Sequence, residues 1–171
     1  MISNPAISLP ADFHPESRIW IFQSERPLTE EDVLGIQEIL QPFIKQWKSH
    51  GARVKGYAHI LCNRFILLMA DESETMVSGC STDGAIHIIK EIEHKFQLQL
   101  FNRLNLAFLV NENLIQLPVA EVPQAIRDGR LQPLTPYFNN TVLTKQEFEN
   151  NWLIPLESSW LKSKIQLQKS S

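Results

Sequence analysis

Arg53-Val-Lys-Gly-Tyr-Ala-His-Ile-Leu-Cys62, a break at Asn63 and Arg64, and then Phe65-Ile-Leu-Leu-Met-Ala70 form the stretch on which the fold turns. The two runs read as strands, 53–62 and 65–70, joined at Asn63 and Arg64. The second has no polar interruption, as expected of a strand covered on both faces. Upstream, Ile19-Trp-Ile-Phe-Gln23 reads as another buried strand. Between them Thr29 offers an N-cap, with Glu30, Glu31 and Asp32 suited to the positive end of a helix. Val33, Ile36, Leu40, Phe43, Ile44 and Trp47 recur at helical spacing, Gly51 suits the helix stop, and Pro42 is expected to kink the helix. Downstream, Ala85, Ile88, Ile89, Ile92 and Phe96 define a second helix, and Leu104 to Val110 a further strand. The order over 18–110 is therefore β-α-β-β-α-β. It predicts an α+β fold of the ferredoxin-like kind, an antiparallel sheet with two helices on one face.

Residues 1–17 hold three prolines and read as an irregular arm. The first domain is expected to span 18–110, with 111–171 as an extension packed on it. Asn111-Glu-Asn signals a hairpin into Leu114 to Leu117, and a short helix from Val119 to Asp128 ends at Gly129. Trp152 and Trp160 are expected to be clamped onto the first domain, since burying one anchors a loop-rich segment by a few kcal/mol, about the value of a large core side chain.

The chain has 171 residues, 43% hydrophobic and 20% charged, with net charge -3. That length supports a real core without a metal or disulfide staple. Two cysteines make no disulfide framework, and Cys62 and Cys80 are expected as free thiols in the cytoplasm. The longest apolar run, Phe65 to Ala70, is far short of a membrane span, and no targeting segment is read at the N-terminus. Mild acidity weighs against nucleic acid or an anionic membrane as partner. Exposed sheet edges leave a homodimer open.

The most specific local string is Ser78-Gly79-Cys80-Ser81-Thr82-Asp83 at the start of the second helix. Unpaired N–H groups and the aligned peptide dipoles there can hold a small anion or an acidic group of a protein partner, or lower a thiol pKa. The plainer reading makes Ser81 or Thr82 a cap and Cys80 a small buried hydrophobe. Arg64 on the strand-joining turn, and Arg103 before the last strand, are expected to bring positive charge to the same end of the sheet. No catalytic base stands convincingly beside Cys80, because His87 and His94 lie turns further along the helix. The chemistry therefore leans away from an enzyme. A thiol-dependent enzyme or redox sensor using Cys80 is the alternative.

RNA binding through the sheet is a second alternative. Lys55-Gly-Tyr-Ala-His-Ile60 resembles the signature strand of RNA-recognition motifs, and it requires Trp20 and Tyr57 on one open face. No metal spacing is present among the histidines and cysteines, and no cofactor is implied. No G-x-x-x-x-G-K-[ST] loop occurs, which excludes a phosphate-loop ATPase.

Arg18-Ile-Trp-Ile-Phe-Gln-Ser-Glu-Arg26, Trp47 to Gly51, Asn63-Arg64-Phe65, Ser78 to Asp83, Phe138-Asn-Asn-Thr-Val142, Asn151-Trp-Leu-Ile-Pro155 and Ser159-Trp160 together resemble a family of short bacterial proteins commonly described as ABC transporter ATPases. The chain departs from the family pattern at Thr82, where Ile is often found. That description implies ATP hydrolysis, for which the chain lacks the phosphate-loop residues. What the resemblance adds is weight to the 78–83 string as a binding element. Ile126 to Phe138 also faintly resembles the helix-and-turn portion of GYF-like adaptor modules, over too little of the chain to imply their binding activity.

Overall fold

The run at Phe65 is the middle strand of a three-stranded antiparallel sheet. In the computed structural model, which describes residues 8–73 and 79–169, β5 (Phe65–Asp71) lies between β1 (Arg18–Gln23) and β4 (Lys55–Leu61). Phe65 to Ala70 are fully buried, which accounts for their unbroken apolar character. Ile66, Leu68 and Ala70 face α1 (Glu30–Gln46) and α2 (Gly79–Phe96), packing with Ile36, Leu40, Ala85, Ile88, Ile89 and Ile92. The helical stripes read from the sequence are thus the ones that build this core. His87 and His94 face solvent on the other side of α2.

Thr29 caps α1 in a reciprocal box: its hydroxyl accepts the Asp32 N–H at 3.0 Å, and the Asp32 carboxylate accepts the Thr29 N–H at 2.9 Å. The helix runs through Pro42 to Gln46, stopping short of the expected end at Gly51. Trp47 turns into the core, and β2 (Lys48–Ser49) and β3 (Ala52–Arg53) form a small hairpin. His50 (φ 51) and Gly51 (φ 79) occupy its two central positions. Positive φ at both is the requirement of a two-residue hairpin turn, so turn chemistry overrides the helical pattern here. The β4–β5 hairpin likewise turns on Cys62 (φ 55) and Asn63 (φ 49), closed by the Arg64 N–H to the Leu61 carbonyl, one residue earlier than expected.

The order β1-β5-β4 matches the first three strands of the split-βαβ arrangement, but among the described residues the sheet has three strands and not the four of the ferredoxin-like order. The expected fourth strand, β6 (Asn105–Val110), has both edges occupied in a separate sheet. The free edge of β1 is instead met by Leu143, whose carbonyl accepts the Ile19 N–H at 2.9 Å, and by a bridge between Arg18 and Thr144.

The chain divides into two compact units between Asn102 and Arg103, not after Val110. The first comprises Ser8–Asn102 and Leu143–Phe148, the latter including the start of α4 (Lys145–Asn151). Residues 8–17, read as an irregular arm, belong to it and bury Leu9 and Phe13. The second unit holds a sheet in the order β7-β6-β8-β9, with β7 (Asn113–Pro118), β8 (Pro136–Phe138) and β9 (Leu153–Pro155). Its hairpin turns on Asn111 (φ 50) and Glu112 (φ 63), as the Asn-Glu-Asn string predicts. A core of Phe108, Val122, Ala125, Leu131, Tyr137, Leu156 and Leu161 joins this sheet to α3 (Val122–Arg127) and α5 (Lys162–Lys169). Trp152 is buried against Phe138 within the unit, while Trp160 is half-exposed, with its ring N–H donated to the Tyr137 hydroxyl at 3.0 Å. No helix among the described residues is long and apolar enough to cross a membrane.

Candidate functional site

Helix α2 does begin at the string singled out in the sequence, but Ser78 and the side chain of Cys80 lie outside the described residues. Gly79 opens the helix, so Ser81 is already its third residue and not a cap preceding it. The Ser81 hydroxyl is fully buried with no partner among the described residues, and its carbonyl accepts the Trp47 ring N–H at 3.2 Å. Thr82 is half-buried and Asp83 is exposed. The glycine that matters for packing is Gly84, where an added Cβ would sit 3.2 Å from the Trp47 ring nitrogen. Trp47 thus wedges against the first turns of α2.

Arg64 is not near that helix start. Its carbonyl accepts the Ser24 N–H at 2.8 Å, and the neighbouring Glu25 N–H is donated to Gln99, beyond the end of α2. The length of β5, roughly 24 Å at about 3.4 Å per residue, separates Arg64 from Asp71. Partial burial lowers the pKa of the Arg64 guanidinium. Arg103 belongs to the second unit. The cation that serves α2 is Arg26, at its C-terminal end. Arg26 donates to the Phe96 carbonyl at 3.0 Å and forms a 2.6 Å ion pair with Asp32. That arrangement links the end of one helix to the start of the other. It is structural.

The chemistry gathers at the opposite end of the sheet, where β1 begins and β5 finishes. The Asp71 carboxylate accepts the backbone N–H of His14 at 2.9 Å and that of Ser73 at 3.0 Å. Burial pushes the Asp71 pKa up, but a side-chain hydrogen bond from Ser73, these two backbone bonds and the charge of Lys55 together outweigh it and hold the group below its ordinary range. The 13–17 segment is tied down by Lys145, whose N–H reaches Ser17 and whose ammonium reaches the Phe13 carbonyl, and by Gln146 at Pro15. A cavity of about 340 Å³ results, lined by His14, Glu16, Ser17, Arg18, Asp71 and Glu72 among others. Glu72 is 8% exposed, and neither of its oxygens has a hydrogen-bond partner among the described residues. The Ser17 hydroxyl, in a residue 2% exposed, is likewise unpartnered. Arg18 lies over the Trp20 ring at 5.1 Å.

Ser17, His14 and Asp71 invite comparison with a nucleophile–base–acid set, but their connections are wrong for it. Asp71 accepts the backbone N–H of His14, not a ring N–H. The ring Nδ1 instead accepts the Glu16 N–H at 3.0 Å, which puts the hydrogen of a neutral imidazole on Nε2. Such a ring has no nitrogen left to take a proton from a serine. Neither Asp71 nor Glu72 carries a motif by which the sequence alone singles it out. The available signal was an acidic pair directly closing a wholly apolar strand.

Trp20 and Tyr57 do not share a face of the sheet. In register, Trp20 and Ala58 both oppose Leu68, whereas Tyr57 opposes Met69, so Trp20 and Tyr57 fall on opposite faces. Trp20 packs on Trp47 at 5.4 Å and Tyr57 on Phe13 at 6.1 Å. Among the described residues, no three His, Cys, Asp or Glu side chains are grouped to hold a metal ion. No family model, curated protein or solved structure matches the chain.

Proposed function

We propose that the protein is a binding module, not an enzyme, and that it holds its ligand in the cleft where β1 and β5 meet. The observation that carries this reading is the unpartnered carboxylate of Glu72, a residue of the cleft wall whose two oxygens are themselves sealed from solvent. An ionised carboxylate buried without a partner costs several kcal/mol, against a total stability of about 5–15 kcal/mol for a domain. A ligand that supplies the missing partner accounts for such a group. The non-catalytic reading is supported by the His14 ring, whose Nδ1 is occupied by Glu16. The reading does not draw on the start of α2, because Arg64 stands far from it. Membership of the short bacterial family that the chain resembles, and a cytoplasmic location, belong to the same proposal.

The test is a thermal-shift survey with small amines, carboxylates, sugars and nucleotides. Wild-type protein is compared with Ser73→Trp, which fills the mouth of the cleft from an exposed position. A ligand at about one hundred times its Kd stabilises by about 2.7 kcal/mol. At least one class is expected to raise the wild-type Tm by about 10 °C or more and to leave Ser73→Trp unmoved. Equal responses in both proteins, or none in either, would overturn the proposal.

A further inference from the structure

Resting on that reading, we infer that the cleft selects a small organic cation, specifically the ammonium group of a primary amine, with Glu72 as its counter-ion. Three observations converge. The walls carry three carboxylates, on Glu16, Asp71 and Glu72, against one guanidinium, on Arg18, which is already laid over Trp20. The groups without partners are acceptors: both oxygens of Glu72, and the Ser17 hydroxyl, which can accept as well as donate. Asp71 is occupied by the backbone N–H groups of His14 and Ser73 and by the Ser73 side chain and serves to fix the wall, leaving Glu72 as the buried carboxylate without a partner.

A ligand that satisfies this set brings positive charge and several hydrogens. An ammonium has three donors on a compact charge, which suits one buried carboxylate beside one hydroxyl. A metal ion asks for more ligands than the described residues group together. The volume, about 340 Å³, is at the small end for ligand sites and fits a short alkyl chain behind the charge. A free amine is therefore the expected source, in preference to a lysine of a partner chain.

The experiment titrates the full chain with n-butylammonium chloride, following tryptophan fluorescence and Tm. Sodium chloride controls for ionic strength, tetramethylammonium chloride for charge without N–H donors, and n-butanol for shape without charge. Nα-acetyl-lysinamide tests a peptide-borne ammonium. Saturable binding of n-butylammonium is expected, at least tenfold tighter than that of any of these four. Glu72→Gln, which keeps the shape, is expected to weaken it by at least tenfold, while Glu38→Gln, exposed on α1 and outside the cleft wall, changes it by less than about threefold in 0.15 M salt. Butylammonium no better than sodium, or binding that survives Glu72→Gln, would overturn the inference. Tighter binding of Nα-acetyl-lysinamide would overturn its free-amine source. If the amine fails while another ligand class still responds to Ser73→Trp, the binding module stands without the cation. If nothing responds, both fall.

Discussion

Replacing Glu72 by glutamine should make the unliganded protein more stable. Glu72 is 8% exposed and neither oxygen is partnered among the described residues, so folding strips water from a carboxylate without a substitute. An unsatisfied neutral polar group costs about 1–3 kcal/mol and a charged one more. Glutamine keeps the shape and the neutral part of that cost, and removes the excess due to charge, about 1–2 kcal/mol. The first unit has the size of a 100-residue domain, for which each kcal/mol moves Tm by about 4–8 °C. Glu72→Gln should therefore raise Tm by about 4 °C or more. In urea, followed by tryptophan fluorescence at pH 7, the midpoint should rise with the slope unchanged. The exposed Glu16→Gln is the control for general charge effects and should stay within about 0.5 kcal/mol of wild type. A Glu72→Gln protein that is less stable than wild type would refute the reasoning, because it would mean the carboxylate is satisfied in the folded state.

Other outcomes follow from the same geometry. Asp71→Asn should destabilise by about 0.5–1.5 kcal/mol at pH 7, since an amide has one acceptor oxygen for two exposed N–H donors. The folded pKa of Asp71 is lowered, so its contribution is complete above the ordinary aspartate value of 3.8 and is lost as pH falls through the folded value; urea midpoints of wild type and Asp71→Asn should converge in strong acid. Gly56→Ala would place a Cβ 2.6 Å from Ile44 and 2.9 Å from Trp47, and should cost about 1–3 kcal/mol by overpacking; a neutral result in the same urea assay would contradict it. Burial raises the pKa of Cys62, so in a Cys80→Ser background its alkylation at pH 8 should be several-fold slower than that of a small free thiol, and unfolding in urea should restore the rate.

Much of the local architecture is written in short stretches of sequence. Thr29 followed by acidic residues places the start of α1, Ile36 and Leu40 its buried stripe, and Asn111-Glu-Asn the β6–β7 turn. Each depends on contacts a few residues apart, so periodicity and turn chemistry suffice. His50-Gly51 was also legible in principle as a hairpin turn, but the apolar stripe running through to Trp47 favoured a longer helix. The tertiary structure decided the matters that depend on strand partners. Leu106-Ala-Phe-Leu109 could serve equally in either sheet, and only pairing with β7 and β8 removes it from the edge of β1. The direction of β5 then separates Arg64 from the residues at its far end. Folding also converts Glu72 from one more acidic residue into a buried, unpartnered carboxylate. Burial is a property of everything packed around a residue, and nothing in its neighbouring letters carries it.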